Sequence, residues 1–125
     1  MNPQELRIGN LVRYKGEVVK VEQITKRKIG YHKEENECRM HYARLVEIEP
    51  IPLTAEIIGK YFIHCGASYY RDNNRAEIYQ TRDGWCLNVN NSNYTAYVST
   101  IVEYLHDLQN AYYMTNQQQL KIKQL

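Results

Sequence analysis

Two prolines near the middle of the chain place the strongest limit on its fold. They lie in the segment Pro50-Ile51-Pro52-Leu53, and because proline has no backbone N–H it cannot donate to the hydrogen-bond ladder of a sheet. A sheet formed by the preceding residues must therefore end here. The sequence predicts a β lobe over residues 1–50 and a second lobe over residues 51–125. Each lobe is too small to bury a good core alone, so we expect the two to pack as one unit.

The first lobe contains short β-branched runs separated by turn signals. Leu11–Tyr14 and residues 17–24 flank Lys15-Gly16, and two residues ending in glycine between strands are typical of a tight hairpin. Apolar residues then alternate over residues 38–48, which predicts a strand with one buried face and a bulge at Arg44-Leu45. The predicted buried residues are Cys38, Met40, Tyr42, Val46 and Ile48. This pattern predicts a small, strongly bent sheet or an SH3-like barrel.

The second lobe begins and ends with helical patterns. Thr54 is a good N-cap residue for a short amphipathic helix that ends near Cys65-Gly66. At the other end, apolar residues at i, i+3, i+4 and i+7 predict an amphipathic helix over residues 98–116, with Ser99 or Thr100 as its cap.

Between these helices the sequence predicts a β-meander. Its strands cover residues 68–71, 76–82 and 85–89, and Asp83-Gly84 supplies a strong hairpin signal. The fold class is therefore α+β, with a bent β lobe followed by helix, meander and helix.

Composition excludes several classes of protein. Charged residues make up 24% of the chain and hydrophobic residues 43%, which argues against disorder. No apolar run approaches the roughly 18 residues of a membrane span, and the first residues lack the shape of a signal peptide. Three cysteines do not make a disulfide framework. We expect a soluble cytoplasmic protein that does not contact a membrane.

Tyrosine is the unusual residue of this chain, with twelve copies against one phenylalanine and one tryptophan. Tyrosine has an apolar body and a polar tip, so it suits half-buried positions and interfaces. Many of these side chains can line a small core with their hydroxyls in water, or they can form a binding or oligomer surface. The second interpretation predicts a homo-oligomer.

Two clusters of cationic and aromatic residues predict a site for a phosphorylated ligand. Arginine binds phosphate in a bidentate manner, aromatic rings stack on bases, and asparagine amides bond base edges. The cluster of the second lobe consists of Tyr69, Tyr70, Arg71, Asn74, Arg75, Arg82 and Trp85. The cluster of the first lobe consists of Lys26, Arg27, Lys28 and Tyr31. The alternative is an exposed surface without a ligand.

The last helix carries polar residues off its apolar face. These are His106, Gln109, Asn110 and Tyr113, and they predict contacts with a neighbouring loop or subunit. The alternative is an ordinary solvated helix face.

No pattern in the sequence indicates catalysis or a bound metal. A zinc set would need ligands among His32, Cys38, His41, His64, Cys65 and His106. Cys38 and His41 have opposite strand parity, so they are expected to point to opposite faces. Neither Cys65 nor Cys86 has the context of an activated nucleophile, and glycine-rich phosphate loops are missing. We predict a protein that is not an enzyme and has no metal or cofactor.

Three segments together resemble a known group of proteins. They are Glu5-Leu6-Arg7-Ile8-Gly9-Asn10, Pro50-Ile51-Pro52-Leu53-Thr54 and Tyr104-Leu105-His106-Asp107-Leu108-Gln109-Asn110. In this order and spacing they resemble small proteins encoded in Bacteroidetes genomes and their phages. The resemblance implies a phage or mobile-element setting inside a bacterial host cell, and it supplies neither an activity nor a catalytic residue.

These observations favour a non-catalytic binding protein. In its sharpest form, which the implied phage setting suggests, it is a counter-defence protein that sequesters a nucleotide or cyclic oligonucleotide immune signal in an Arg/Tyr pocket. One alternative is a nucleic-acid-binding SH3-like module. Another is an inhibitor or adaptor that binds a host protein through tyrosine-rich surface.

Overall fold

The computed structural model describes residues 1–65, 69–71, 76–90 and 97–116. The chain divides into two compact units, Met1–Ile51 and Pro52–Leu125. Strands and helices are both present, which confirms the α+β class. Within the described residues, no helix has the length and apolar character needed to cross a membrane.

The N-terminal unit contains two three-stranded antiparallel sheets. One has the strand order β2-β1-β6 and the other β3-β4-β5. These sheets do not close into a barrel, so the prediction of an SH3-like barrel is wrong while that of a small β lobe is correct. The strands are β1 (Leu11–Tyr14), β2 (Glu17–Lys20), β3 (Gln23–Ile24), β4 (Lys28–Tyr31), β5 (His41–Arg44) and β6 (Ile48–Glu49).

The predicted hairpin at Lys15-Gly16 is present between β1 and β2. Tyr14 pairs with Glu17, so the loop has two residues. Both have positive φ, 50° at Lys15 and 79° at Gly16. This geometry suits the right-handed twist of the strands and explains the glycine at the second position.

The strand predicted over residues 38–48 does break near Arg44-Leu45, but a turn rather than a bulge interrupts it. The chain forms β5 and then a 3₁₀ turn at Leu45–Glu47, which carries it from the second sheet to β6 in the first. Ala43 and Leu45 are buried while Tyr42 and Val46 are exposed, and the turn then brings Ile48 into the core. Of the five residues predicted to be buried, Ile48 is in the core.

The C-terminal unit combines two helices with one five-stranded antiparallel sheet. Its strands follow the chain in the order β11-β10-β9-β8-β7, so the predicted β-meander is present and longer than expected. The helices are α1 (Ala55–Tyr61) and α2 (Leu105–Asn116). The strands are β7 (Ile63–Cys65), β8 (Tyr69–Arg71), β9 (Ala76–Thr81), β10 (Gly84–Asn90) and β11 (Tyr97–Val102).

The two helices begin differently. Thr54 caps α1 as predicted, because its side chain accepts a hydrogen bond from the Ile57 N–H at 3.2 Å. Ser99 and Thr100 do not cap α2, since both lie in β11. Instead, the Asp107 carboxylate accepts a hydrogen bond from the Tyr104 N–H at 3.2 Å, in the first turn of the helix.

The predicted final helix over residues 98–116 is wrong in its first five residues, which belong to β11. Val98, Thr100 and Val102 also fit the two-residue period of a strand, and β-branched side chains favour that conformation. The first helix is likewise shorter than predicted, because β7 follows it directly.

Candidate functional site

The described residues of the predicted C-terminal cluster do not all lie on one face of the five-stranded sheet. Tyr70 and Trp85 share one face, with ring centroids 6.1 Å apart, and the His64 ring stacks on Tyr70 at 4.7 Å. Trp85 is buried. This tryptophan therefore contributes to the core rather than to an open ligand site.

The arginines of this cluster do not join those rings. Arg71 follows Tyr70 along β8, so its side chain is on the opposite face, where Glu77 is its cross-strand neighbour. Arg82 lies in the exposed turn between β9 and β10. Tyr69 belongs to the same strand as Arg71. Asn74 and Arg75 lie outside the described residues. The described residues of the cluster thus do not form one Arg/Tyr pocket.

The N-terminal unit has a cleft of about 420 Å³, which we call the basic cleft. This volume falls in the range of ligand sites, roughly 300–1,000 Å³. Two of its residues, Lys26 and Arg27, belong to the predicted cluster. Its lining consists of Met1, Pro3, Lys26, Arg27, Arg44, Leu45 and Val46.

Backbone hydrogen bonds hold the walls of the basic cleft together. The Leu45 N–H donates to the Arg27 carbonyl at 2.8 Å, which joins the 3₁₀ turn to the segment before β4. The Met1 amine donates to the Leu45 carbonyl at 2.7 Å and brings the N-terminal residues against the same turn. Leu45 is buried beneath the cleft, whereas Val46 is 81% exposed. The cleft therefore offers apolar surface as well as charge.

The cations of the basic cleft are available to an anion. In the described residues, the ion pairs engage neither Lys26 nor Arg27. Arg44 contacts Glu47 at 3.0 Å, and both side chains are substantially exposed. Such exposed pairs contribute little free energy, typically about 0–1 kcal/mol, so a phosphate could replace Glu47 as the partner of Arg44.

The other two residues of the predicted N-terminal cluster lie outside the cleft lining. Tyr31 is a core residue, and burial raises the pKa of its hydroxyl. The Lys28 ammonium lies 4.5 Å from the centroid of the Tyr42 ring. Sequence reasoning missed Arg44 as a cleft residue because the strand pattern placed it at a bulge, and it placed the exposed Tyr42 in the core.

A second cavity, of about 400 Å³, lies in the C-terminal unit between β11 and α2. Its lining includes Asp83, Glu103 and Asp107 together with Ile101 and Met114. Three carboxylates would repel a phosphorylated ligand, so the basic cleft is the better site for an anion.

The polar residues predicted on the outside of the last helix divide into two groups. His106 and Gln109 are only 2% and 5% exposed, so the expectation that they lie off the buried face is wrong. They join Leu105 and Leu108 in the buried face of α2. Asn110 is half-buried and Tyr113 is exposed, and a role of these two in an interface stays a prediction.

The histidines and cysteines weighed as zinc ligands lie apart or have other partners. His32 bonds the Glu22 carboxylate, and His41 bonds that of Glu37. Over the described ranges, no three His, Cys, Asp or Glu side chains come together as metal ligands.

Comparisons with protein-family models, curated proteins and solved structures find no match to this chain. The functional argument therefore rests on the chemistry of the basic cleft.

Proposed function

We propose that this protein is a non-catalytic binding protein that captures a nucleotide in the basic cleft. The observation that carries the proposal is the combination of three cationic side chains with apolar surface in one cleft of about 420 Å³. A nucleotide has the matching two-part chemistry, with an anionic phosphate and a largely apolar base. Guanidinium groups bind the phosphate through charge-assisted hydrogen bonds.

Each part of the cleft has a separate role in this proposal. Lys26, Arg27 and Arg44 bind the phosphate, while Val46 and Pro3 contact the base or sugar. Carboxylate, imidazole, thiol and hydroxyl groups most often act as general bases or nucleophiles. Among the described residues that line the cleft, none carries such a side chain. The lining thus favours capture over turnover.

The biological form of the proposal depends on the resemblance to proteins of Bacteroidetes and their phages. In that setting, a protein that holds a nucleotide stoichiometrically would remove an immune signal of the host cell. The cleft is built from residues of one chain, so capture does not require a second copy.

Calorimetric titration with a purine and a pyrimidine nucleotide tests this proposal. We expect Arg27→Ala to weaken binding by about tenfold or more, because a hydrogen bond to a charged group contributes about 1.5–3 kcal/mol. Lys26→Ala should act in the same direction. Lys20→Ala is the matched control, since this exposed lysine of β2 does not line the cleft.

Two further variants compare the basic cleft with the predicted C-terminal cluster. Arg71→Ala and Arg82→Ala should leave nucleotide affinity unchanged. Absence of binding by the unmodified protein, or equal affinity for Arg27→Ala and Lys20→Ala, would contradict the proposal. A loss confined to Arg71→Ala or Arg82→Ala would place the ligand in the C-terminal unit instead.

The outer face of the C-terminal sheet favours a second candidate function, which is binding of a host protein. Ile63 and Ile101 are exposed on this face, in its two edge strands, and Tyr79 lies between them. Aromatic and apolar side chains are typical of protein interfaces. Recovery of one host protein by the unmodified chain, and its loss with Ile101→Lys, would support this function.

A further inference from the structure

Tyr42 lies beside the basic cleft on the same face of the sheet as Arg44. The two residues are separated by one position in β5, so their side chains emerge on one side of the strand, about 7 Å apart along it. Arg44 lines the cleft, whereas Tyr42 does not. The aromatic ring is therefore an extension of the site outside the cleft.

The ring of Tyr42 is about half exposed and has the Lys28 ammonium over it. Tyr42 is 48% exposed, so one side of the ring is accessible to a ligand. Its cross-strand neighbour is Gly30, and the Met40 side chain occupies the space over that glycine. The Lys28 ammonium lies 4.5 Å from the centroid of the Tyr42 ring, and Lys28 is the cross-strand neighbour of Arg44 in the sheet. Cationic side chains therefore lie both in the basic cleft and beside the Tyr42 ring.

The Tyr42 ring lies outside the lining of the basic cleft, so a nucleotide that fills the cleft leaves the ring free for a second base. A cleft of about 420 Å³ lies near the lower end of ligand sites, so one nucleotide would occupy it. A second base could stack on Tyr42, and the phosphodiester that joins the two nucleotides would then lie near Lys28 and Arg44. Stacking on an aromatic ring beside a cationic groove is how single-stranded nucleic acids are bound without sequence preference.

Given the proposed function, on which this step rests, we infer that the ligand is an oligonucleotide of at least two linked nucleotides. One nucleotide occupies the basic cleft and the next base stacks on Tyr42. Glu47, the exposed partner of Arg44, is the nearest described acidic group that the phosphodiester must displace. Linear and cyclic oligonucleotides share this chemistry, and the experiment separates them.

Fluorescence anisotropy with labelled oligothymidylate tests the inference. Unlabelled competitors are thymidine monophosphate, a linear dinucleotide, a cyclic dinucleotide and an oligoglutamate peptide. The variants are Tyr42→Leu, which removes the ring, and Tyr42→Phe, which keeps it. Tyr113→Leu replaces an exposed tyrosine of the C-terminal unit and serves as the matched control.

We expect the linear or cyclic dinucleotide to compete at least tenfold better than the mononucleotide. Tyr42→Leu should lower oligonucleotide affinity about tenfold, the loss of one base–ring stack, and leave mononucleotide affinity unchanged. Tyr42→Phe and Tyr113→Leu should bind as the unmodified protein does. The preferred dinucleotide identifies which form the site accepts.

Other results overturn the inference in distinguishable ways. Equal competition by mononucleotide and dinucleotides, or no effect of Tyr42→Leu, refutes it while leaving nucleotide capture in place. Oligoglutamate that competes as well as the dinucleotides would assign the surface to an acidic peptide. If no nucleotide competes at all, the proposed function fails as well.

Discussion

At the scale of single residues, a histidine–glutamate pair closes the loop between β4 and β5. The His41 Nε2 lies 2.9 Å from a Glu37 carboxylate oxygen, and the other oxygen accepts a hydrogen bond from the Lys33 N–H at 3.2 Å. These contacts lower the pKa of Glu37, with the His41 hydrogen bond as the largest cause. The charged form of Glu37 is therefore favoured by the folded protein.

A substitution of His41 by Phe tests this cause, since it removes the hydrogen bond and keeps a ring near Tyr31. The pKa of Glu37 should rise toward its ordinary value in NMR titration of the variant. In the unmodified protein, a carboxylate whose pKa is lowered by folding stabilises the folded state above its pKa in the unfolded chain, about 4.3. This stabilisation is lost as pH falls through the pKa of the group in the folded protein. An unchanged Glu37 pKa in the variant would contradict this assignment.

The residues of the basic cleft show how far a site can be predicted from sequence. Lys26 and Arg27 were found because consecutive cations stand out in any sequence. Arg44 and Val46 join them through a 3₁₀ turn, and Tyr42 is exposed because Ala43, its neighbour in β5, faces the core. Tyr31 looks like Tyr42 in the sequence, yet it is buried. Only strand pairing decides which tyrosine reaches solvent.

At the scale of secondary structure elements, two glycines predict opposite effects of the same substitution. Gly84 begins β10 with φ of 136°, and a Cβ there would lie 3.1 Å from the Val102 carbonyl oxygen. Gly59 lies in α1, where an added Cβ meets nothing within 4 Å. Gly84→Ala should lower the free energy of unfolding by about 1–3 kcal/mol, while Gly59→Ala should raise it by up to about 1 kcal/mol.

Urea denaturation of the two variants measures both effects. Because the substitution is the same, a difference in sign reports the backbone environment and not the added methyl group. Equal changes in the two variants, or a stabilising Gly84→Ala, would show that the turn before β10 tolerates a side chain.

The strand β11 shows why sequence periodicity wrongly assigns residues 98–102 to a helix. Val98, Ile101 and Val102 satisfy the spacing of a helix, and Val98, Thr100 and Val102 satisfy that of a strand. What decides between them is β10, which pairs with residues 97–102 along six positions. That partner is a separate segment, so the spacing within residues 98–102 does not reveal the pairing. The Thr54 cap depends on a neighbour three residues away and is predicted correctly.

At the scale of the whole molecule, charge is modest and uneven. Residues 1–50 contain ten Lys/Arg and eight Glu, while residues 51–125 contain six Lys/Arg and six Asp/Glu. The net charge of +2 therefore belongs to the part of the chain that contains the basic cleft. This is well below the charge of a protein that binds long nucleic acid mainly by electrostatics.

The salt dependence of oligonucleotide affinity should reflect this small net charge. Each phosphate neutralised on a single strand contributes about −0.7 to the slope of log affinity against log salt. With the cations of the cleft and Lys28 engaged, we expect a slope between about −1 and −3 for oligothymidylate. Anisotropy titrations over a series of salt concentrations measure it, with Arg27→Ala expected to flatten the slope and Lys20→Ala to preserve it. A slope near zero would be incompatible with phosphate contacts.

The strand order of the two units has a consequence for how the chain acquires its structure. In the C-terminal sheet every strand pairs with the next one along the chain, so the sheet can grow hairpin by hairpin with little loss of loop entropy at each step. In the N-terminal unit, β1 must find β6, which brings Arg13 beside Glu49. Sheet closure there is the slower event on topological grounds, and the 3₁₀ turn that forms one wall of the cleft leads directly into that late-pairing strand. During refolding, we therefore expect ligand binding to recover after most of the β structure has formed.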